Sequence, residues 1–425
     1  MPKINKLTTY DLRFPTSNNL DGSDAMNPDP DYSAAYVVLE TDTSLLKGHG
    51  FVFTIGRGND LCCDAIKALQ HLVIGLDLEW IKNNQADFWR RMTSDTQLRW
   101  VGPEKGIIHM ASGAIINAVW DLLAKFEDKP LWKLIVDMSP HELVNTIDFR
   151  HMTDVLDKEE ALAILQLKHK TKQNRISILE TEGYPCYVTS AGWLGYSDNK
   201  LKTLCLEAKK NGFEYVKLKV GKNLKDDMRR LDIARSTLGS DIKIMIDANQ
   251  VWEVDQAIKW MKSLAEFNPY FIEEPTSPDD IIGHKKIKEA IHPIKVATGE
   301  AVQNRIIFKQ LISEQAVDII QVDACRMGGL NEVIAVQLMA AKYNIPVWPH
   351  AGGVGLCEYS QHLGMIDYLC VSADKSRQVI EYVDHLHEHF INPCHIEKAS
   401  YTLPKESGFS VEMKKETLQK NLFTG

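Results

Sequence analysis

The sequence predicts an α/β protein in which a closed (β/α) barrel follows an α+β domain. Five short apolar segments in the second half of the chain end at or beside a chemically reactive residue, at steps of 26, 27, 23 and 27 residues. These residues are Asp247, Glu273, Glu300, Asp323 and His350. A nearly constant step with a reactive residue at each strand end is typical of a barrel whose active site lies on the carboxyl-terminal rim.

Length, composition and charge restrict the class of protein. The 425 residues are enough for two domains, and 25% charged with 44% apolar residues predicts an ordered chain with a large core. The net charge of −8 argues against nucleic-acid binding, because phosphate binding needs a basic surface. A local cation can still attract an anionic substrate. We therefore expect a small-molecule substrate, with neither nucleic acid nor a membrane as partner.

Cysteine usage and the ends of the chain favour a reducing compartment. The 8 cysteines include no CxxC pair, which favours reduced thiols over a disulfide framework. No stretch approaches the roughly 20 apolar residues of a membrane span. The first residues lack the apolar core of a signal peptide. We predict a cytoplasmic location, although a mature protein of the mitochondrial matrix would show the same pattern in a eukaryote.

Residues 1–140 have the pattern of an α+β domain. A long polar stretch, 15–32, follows the first β-like segment, and such a loop inside an ordered region is usually functional or disordered. A helical pattern over 113–126 places an apolar stripe on one face, formed by Ile115, Ile116, Val119, Leu122 and Leu123. The β-like segments are 4–14, 34–42 and 49–56.

Residues 141–184 are predicted as a helical connection, and residues 185–391 as the barrel. Here strand patterns alternate with helical patterns, the latter at 254–267, 305–312 and 330–343. Such alternation predicts parallel βα units. An open doubly wound sheet is the alternative, but the chain has neither the GxGxxG nor the GxxxxGK[ST] phosphate-binding motif.

Three carboxylates, Asp247, Glu273 and Glu300, end consecutive predicted strands. They should converge on one point, where bare carboxylates would repel one another and raise one another's pKa. A divalent cation removes this conflict, and hard oxygen ligands suit Mg²⁺ or Mn²⁺. Ordinary charged rim residues are the alternative for each acid alone, and the shared step favours a metal site.

Two lysines lie on the strand that precedes this series. Lys217 and Lys219 in VKLKV share one face, because side chains alternate along a strand. Burial, like charge and a nearby metal should lower their pKa and make one of them usable as a base. A solvent-facing polar strand is the alternative, which a barrel strand covered on both sides disfavours.

Asp323 and His350 end successive strands and form a candidate acid/base pair. A carboxylate that holds one imidazole nitrogen fixes the tautomer and raises the basicity of the other nitrogen. Glu381 follows where the eighth strand should end, although its spacing alone is a weaker signal. The run DHLHEH (384–389) is interpreted as a solvated or interdomain segment. A second metal site at His385 and His389 is disfavoured, because zinc motifs need a tighter context.

Short motifs at these positions resemble the enolase superfamily, mandelate racemase subgroup. They are KLK (217–219), DAN (247–249), EEP (273–275), TGE (298–300), QVD (321–323) and PHAGG (349–353). Asp323 stands where the muconate cycloisomerase and enolase subgroups carry a lysine. Longer segments such as GWLGYSD, IEEPTSPDD and HAGGVGLCEYSQH closely resemble L-fuconate dehydratases and their animal relatives.

The resemblance implies a (β/α)₇β barrel under a capping domain formed by residues 1–140 and completed by about 392–425. It also implies conversion of L-fuconate to 2-keto-3-deoxy-L-fuconate and water, with one Mg²⁺ per active site. In this reaction Lys219 would take the C2 proton, Lys217 would help Mg²⁺ to stabilise the enediolate, and His350, oriented by Asp323, would protonate the departing 3-hydroxyl.

The remaining roles also come from the resemblance. The metal ligands would be Asp247, Glu273 and Glu300. The substrate would be bound by Asp24, Tyr32, Lys217, Asn249, His350 and Glu381, with Asp24 and Tyr32 closing over the sugar acid.

Several alternatives stay open at this point. A racemase or epimerase could use the same scaffold, and a non-catalytic regulatory protein that retains the fold is a more remote alternative. The sequence does not rank L-fuconate against similar sugar acids such as L-galactonate or D-arabinonate. A homo-oligomer is possible.

Overall fold

The computed structural model describes residues 2–43, 45–102 and 104–424. Its strands are β1 Ile4–Arg13, β2 Ser33–Thr41, β3 Lys47–Thr54, β4 Tyr184–Gly192, β5 Tyr215–Lys219, β6 Lys243–Asp247, β7 Pro269–Glu273, β8 Lys295–Thr298, β9 Ile319–Ile320, β10 Ile380–Tyr382, β11 Ile396–Glu397 and β12 Ser400–Tyr401.

The α-helices are α1 Asn59–Leu69, α2 Leu78–Asn83, α3 Gln85–Thr93, α4 Leu98–Val101, α5 Gly106–Phe126, α6 Leu131–Asp137, α7 Pro140–Val144, α8 Lys158–His169, α9 Lys172–Glu182, α10 Asp198–Lys210, α11 Leu224–Leu238, α12 Val254–Leu264, α13 Ile281–Ile291, α14 Arg305–Ser313, α15 Leu330–Lys342, α16 Leu356–Ile366 and α17 Lys415–Lys420. Short 3₁₀ helices cover Thr16–Asn19, Gln70–Leu72, Ala265–Phe267 and His387–His389, and a π-helix covers Asp367–Val371.

The N-terminal strands form an antiparallel sheet in the order β1-β2-β3, with α1 and α5 packed on it. The predicted α+β arrangement of this region is therefore confirmed. Helix α5 is buried all round from His109 to Ala124, not on one stripe as the sequence predicted. It lies between this sheet and the barrel, so neither of its faces reaches water.

Glycines allow α5 to approach its neighbours closely. A Cβ atom at Gly50 would lie 2.3 Å from the carbonyl oxygen of Ala114, and one at Gly113 would lie 2.2 Å from that of Met327. Both separations are far below van der Waals contact, so only glycine fits at these crossings. The sequence predicted no stretch that could span a membrane, but helix α5 is long and apolar enough to do so by length and composition. Its most apolar part is 89% buried inside the protein.

Parallel strands from β4 to β9 follow one another in sequence order, and β10 pairs with β4. The segment 346–350 lies between β9 and β10. Trp348 N donates to Ile320 O at 2.7 Å, and Glu381 N donates to Pro349 O at 3.3 Å. These hydrogen bonds join the two ends of the sheet and complete the predicted barrel, with helices on its outside.

Side chains of one layer fill the floor of the barrel. Trp348 lies at its centre, with ring centroids 5.5 Å from Tyr215 and 5.7 Å from Phe271. This floor cluster comprises Tyr187, Tyr215, Met245, Phe271, Ala297, Ile319, Trp348 and Val379, all buried. Because side chains alternate along a strand, the residues two positions further on also point inward, at the mouth of the barrel.

The C-terminal segment contacts both parts of the fold. Tyr36 of β2 donates from its hydroxyl to Val411 O at 3.1 Å, and Phe409 N donates to Asp121 of α5 at 2.6 Å. Strand β12 pairs antiparallel with β4 of the barrel sheet. The domain boundaries at 140, 184 and 391 stay a prediction.

Candidate active site

The three predicted carboxylates meet at the barrel mouth. Asp247 ends β6, Glu273 ends β7, and Glu300 lies two residues beyond β8. Each offers an oxygen, and these oxygens lie within 4.8 Å of one another. Asp247 and Glu273 are fully buried, and Glu300 is partly buried.

Both lysines of β5 reach these carboxylates. Lys217 Nζ lies 2.8 Å from Glu273 Oε1 and 2.8 Å from Glu381 Oε1. Lys219 Nζ donates to Asp247 Oδ2 at 2.5 Å. The two side chains share one face of β5, so the period-two pattern placed them correctly.

The pKa of each lysine differs from the sequence expectation. Burial lowers the pKa of Lys217 and Lys219, as expected. The attraction of Glu273 on Lys217, and of Asp247 on Lys219, outweighs burial and raises both pKa values above the usual range. In the protein alone both are therefore ammonium groups, which neutralise part of the acidic charge.

The acids respond unequally to this neutralisation. Burial and the repulsion of Asp247 and Glu300 raise the pKa of Glu273 well above its usual range, although Lys217 opposes this. For Asp247, burial raises the pKa, but Lys219 and Lys217 outweigh it and the net pKa is lowered. The sequence predicted that mutual repulsion raises the pKa of these acids. The pKa of Glu273 is raised as predicted, whereas that of Asp247 is lowered.

The residues at the mouth fit a hard divalent cation. Within the described part of the chain, the buried Oε2 of Glu300 has no hydrogen-bond partner, and its nearest cationic atom is His350 Nε2 at 3.3 Å. The acids Asp24, Asp247, Glu273, Glu300, Asp323 and Glu381 outnumber the cations Lys217, Lys219 and His350 around this point. Carboxylate oxygens that converge without enough positive charge match the ligand preference of Mg²⁺.

The Asp323–His350 pair forms as predicted. His350 Nδ1 lies 2.9 Å from Asp323 Oδ2, and Gly352 N lies 3.1 Å from His350 Nε2, to which it can donate only while Nε2 is unprotonated. Burial lowers the pKa of His350, but the carboxylates of Glu300, Asp323 and Glu381 outweigh it and raise this pKa to about 10. His350 can therefore hold a proton next to Glu300.

Glu381 joins the lysine side of the site to the histidine side. Its Oε1 accepts from Lys217, and its Oε2 accepts from Ala351 N at 2.9 Å and lies 3.8 Å from His350 Nε2. Burial raises its pKa, but Lys217 and His350 outweigh this and lower it to about 2.

The long loop 15–32 covers the mouth and brings Asp24 and Tyr32 to the site. Both are buried; burial raises the pKa of each, and the charge of Lys219 opposes this rise. Asp24 Oδ1 accepts from Met26 N at 2.7 Å, which holds the turn. The loop is fixed on the segment after β4, where Leu194 N donates to Ser23 O at 2.9 Å.

Asn249 follows Asp247 in a left-handed conformation with φ of 44°. Its N–H donates to Asp247 Oδ1 at 2.9 Å, and its own buried Oδ1 has no hydrogen-bond partner among the described residues. An unpaired buried oxygen beside the carboxylates is a suitable contact for a substrate hydroxyl.

The sequence reasoning missed two buried polar residues near the site. Glu274 is fully buried and accepts from Gln250 Nε2 at 2.9 Å. Gln321 is fully buried two residues before Asp323, and its side-chain atoms have no hydrogen-bond partner in the described ranges. The period-two relation between Gln321 and Asp323 was the available signal.

The DHLHEH run does not pair His385 with His389. His385 lies over Trp193 and Tyr32, with ring centroids 5.2 and 5.7 Å away. His389 instead faces Phe14 at 4.7 Å. The two rings diverge because 387–389 is a 3₁₀ turn rather than an α-helix.

Comparison with known families and proteins agrees with this architecture. Residues 200–417 match the enolase C-terminal domain-like family, and residues 29–135 match the mandelate racemase / muconate lactonizing enzyme N-terminal domain. L-galactonate dehydratase of Hypocrea jecorina is 54% identical over 427 residues, covering 99% of this chain and 94% of that protein.

Solved structures show the same fold. The crystal structure of human mitochondrial enolase superfamily member 1 has a TM-score of 0.98 and 53% identity, and covers 99% of this chain and 96% of that chain. A racemase from Streptomyces coelicolor A3(2) with bound magnesium has a TM-score of 0.77 and 24% identity, with 99% and 100% coverage. The chain therefore belongs to the enolase superfamily, with the N-terminal domain of the mandelate racemase / muconate lactonizing enzyme family.

Proposed function

We propose that this protein is a Mg²⁺-dependent dehydratase of acid sugars that converts L-fuconate to 2-keto-3-deoxy-L-fuconate and water. The proposal rests mainly on the positions of Lys219 and His350. Each can carry a proton, and they lie next to different members of the three converging carboxylates. Lys219 lies 2.5 Å from Asp247, and His350 Nε2 lies 3.3 Å from Glu300. A β-elimination of water needs a base at C2 and an acid at the 3-hydroxyl.

In the proposed reaction Lys219 removes the C2 proton. Lys219 can act as a base only when its ion pair with Asp247 is weakened, since that pair raises its pKa. Asp247 Oδ2 cannot fully neutralise Lys219 and bind a divalent cation at the same time. Lys217 places a second positive charge where the substrate carboxylate becomes more negative, and stabilisation is most effective there.

His350 then protonates the departing 3-hydroxyl. The C3–O bond breaks, water leaves, and the resulting enol tautomerises to the 2-keto-3-deoxy acid. Asp323 holds His350 Nδ1 and so directs Nε2 toward the triad. Asp24, Tyr32, Asn249 and Glu381 would contact the substrate, and the loop that carries Asp24 and Tyr32 would exclude water.

The metal ligands in this proposal are Asp247, Glu273 and Glu300. A bound Mg²⁺ would polarise the substrate carboxylate and favour loss of the C2 proton. The unpartnered oxygen of Glu300 and the raised pKa of Glu273 support a cation at this position.

The test is a screen of acid sugars with the purified protein and Mg²⁺, in which the 2-keto-3-deoxy product is detected. We expect L-fuconate to give product, EDTA treatment to abolish turnover, and Mg²⁺ to restore it. The Glu300→Gln variant should need much more Mg²⁺. Undiminished dehydration after complete metal removal would contradict the metal role, and absence of product from every acid sugar would contradict the dehydratase assignment.

A second candidate substrate is L-galactonate, because the Hypocrea jecorina relative is named for it. L-fuconate is 6-deoxy-L-galactonate, so the two acids share one configuration and differ in a single hydroxyl. Comparing kcat/KM for the two identifies the preferred substrate.

A racemase or epimerase would use the same groups differently. It would exchange the C2 proton in D₂O and form the C2 epimer without any 2-keto product. Monitoring exchange and product in one NMR sample separates the two reactions.

A further inference from the structure

A second group of candidate metal ligands lies behind the barrel mouth. Cys357 is in the first turn of α16, His387 opens the 3₁₀ turn 387–389, and Cys394 follows that turn. Each offers a donor atom, and these atoms lie within 4.8 Å of one another. Both cysteines are buried and His387 is partly buried.

The contacts of His387 turn its Nδ1 toward the other candidate ligands. Its Nε2 lies 2.7 Å from Val383 O, a carbonyl that can only accept, so Nε2 carries the hydrogen. Nδ1 faces Glu358 Oε1 at 2.8 Å and Cys394 Sγ at 3.5 Å. Without a metal, Nδ1 carries a proton toward Glu358, and a metal ion would take the place of that proton. A metal-binding histidine is commonly held in this way, with its other nitrogen donating to a carbonyl.

Glu358, which borders these three residues, is the candidate for a fourth ligand. The residue is fully buried, and its Oε1 accepts from Cys394 N at 3.3 Å. Its Oε2 is buried without a hydrogen-bond partner among the residues that the structure describes. The 2.8 Å contact of His387 Nδ1 with Glu358 Oε1 needs a positive charge between the two atoms, which is a proton in the metal-free protein and would be the metal ion in the loaded one.

The separation of Cys394 Sγ and His387 Nδ1 suits a tetrahedral ion. With Zn–S of about 2.3 Å and Zn–N of about 2.0 Å, tetrahedral geometry separates sulfur and nitrogen by about 3.5 Å. The Cys394 Sγ to His387 Nδ1 distance is 3.5 Å. In addition, Val383 N donates to Cys357 Sγ at 3.5 Å, which stabilises a thiolate.

We propose that Cys357, Glu358, His387 and Cys394 form a structural zinc site. Thiolate and imidazole donors favour Zn²⁺ over Mg²⁺, whereas the carboxylates at the mouth favour Mg²⁺. Four protein ligands leave no open position, which is the pattern of a structural site. These ligands do not include His385 or His389, the pair at which the sequence pattern disfavoured a second metal site.

The zinc ion would fix the C-terminal segment to the barrel. Cys394 belongs to the segment that leads to β11 and β12, while Cys357 lies in the first turn of the barrel helix α16. Cys357 Sγ also lies 3.7 Å from Ala351 O, next to His350. The site would therefore support the loop that carries the catalytic histidine from behind.

The test measures metal content and a thiolate-specific spectrum on the full-length protein, purified under reducing conditions. We expect about one zinc per chain by elemental analysis. After exchange with Co²⁺ we expect a cobalt–thiolate charge-transfer band, lost in Cys394→Ser and kept in the matched buried-cysteine control Cys205→Ser. The Asp247→Asn variant should keep both zinc and the band, because it alters only the other site.

Folding failure of Cys394→Ser does not prevent the test. Zinc released from wild-type protein by a mercurial thiol reagent, and measured with a chromogenic chelator, reports thiolate ligation without any variant. Wild-type protein that contains no zinc and gives no cobalt–thiolate band would overturn the proposal, as would a Cys357–Cys394 disulfide found by mass spectrometry in the freshly purified protein.

Discussion

The floor and the mouth of the barrel are built by the same strands and differ completely in chemistry. On β7, buried Phe271 packs in the floor, and Glu273, two residues on, binds Lys217 at the mouth. The same step leads from Tyr215 to Lys217, from Met245 to Asp247, from Trp348 to His350 and from Val379 to Glu381. One strand therefore supplies stability at one position and reactivity at the next inward position.

This division follows from the energetics of burial. Aromatic and aliphatic side chains in the floor gain free energy as apolar area leaves water. Buried ion pairs at the mouth recover little more than their desolvation cost. Substitutions at the floor should therefore lower stability, whereas those at the mouth should lower turnover.

The largest effect is expected from Lys219→Ala. Without the base at C2, kcat should fall by about 10³-fold or more, which is equivalent to an increase of about 4 kcal/mol in the activation free energy. The melting temperature with saturating Mg²⁺ should change little. Steady-state kinetics and thermal melts check both, with Met245→Leu in the floor as the control that keeps activity. Substantial turnover in Lys219→Ala would assign the base elsewhere.

The effect of Phe271→Ala on stability should be about as large, in free energy, as the effect of Lys219→Ala on turnover. Removing a fully buried phenylalanine that lies 5.7 Å from Trp348 should lower the free energy of unfolding by about 3–5 kcal/mol. Denaturant unfolding measures the loss, and Phe271→Leu should lose much less. If Phe271→Ala were as stable as the wild type, the floor would not be the main support of the barrel.

Asp323→Asn separates the two proton transfers at the mouth. The substitution replaces the carboxylate 2.9 Å from His350 Nδ1 with an uncharged amide, so the acid at the 3-hydroxyl should be misoriented and less basic, and kcat should fall by about 100-fold with little change in KM. Lys219 is untouched, so exchange of the C2 proton in D₂O should continue. Loss of exchange in parallel with dehydration would show that Asp323 serves both steps.

Asp367→Asn tests how a buried carboxyl group that has no lysine partner among the described residues affects the pH dependence of stability. Burial raises the pKa of Asp367 to about 7, and Ser372 and Gln378 oppose this only in part. Because the folded-state pKa lies above the unfolded value, ionisation between about pH 4 and pH 7 favours unfolding. Wild-type stability should therefore fall as the pH rises through this range.

The variant cannot ionise at this position, so its loss of stability between pH 5 and pH 8 should be smaller by roughly 2 kcal/mol. Unfolding at both pH values measures the difference. Identical pH dependence in the two proteins would mean that Asp367 is not protonated in the folded state at pH 5.

Particular residues show where sequence reasoning succeeded. The step between strand ends brought Asp247, Glu273 and Glu300 together, because parallel strands of a barrel end at one rim. The period of two put Lys217 and Lys219 on one face. The predicted strand at 345–350 forms only a single bridge at Val347, since Pro346 and Pro349 have no N–H to donate.

The sequence by itself determined the fold class and the residue types at the mouth, because periodicity and strand-end position are local properties of the chain. Only the tertiary structure decided the charge state of the lysines and the burial of α5 on every side. It also brought Cys357 to His387 and Cys394, which lie 30 and 37 residues further along the chain. Each of these depends on the distance between atoms that are remote in sequence, and an ion pair such as Lys219–Asp247 at 2.5 Å reverses the pKa shift that burial alone would give.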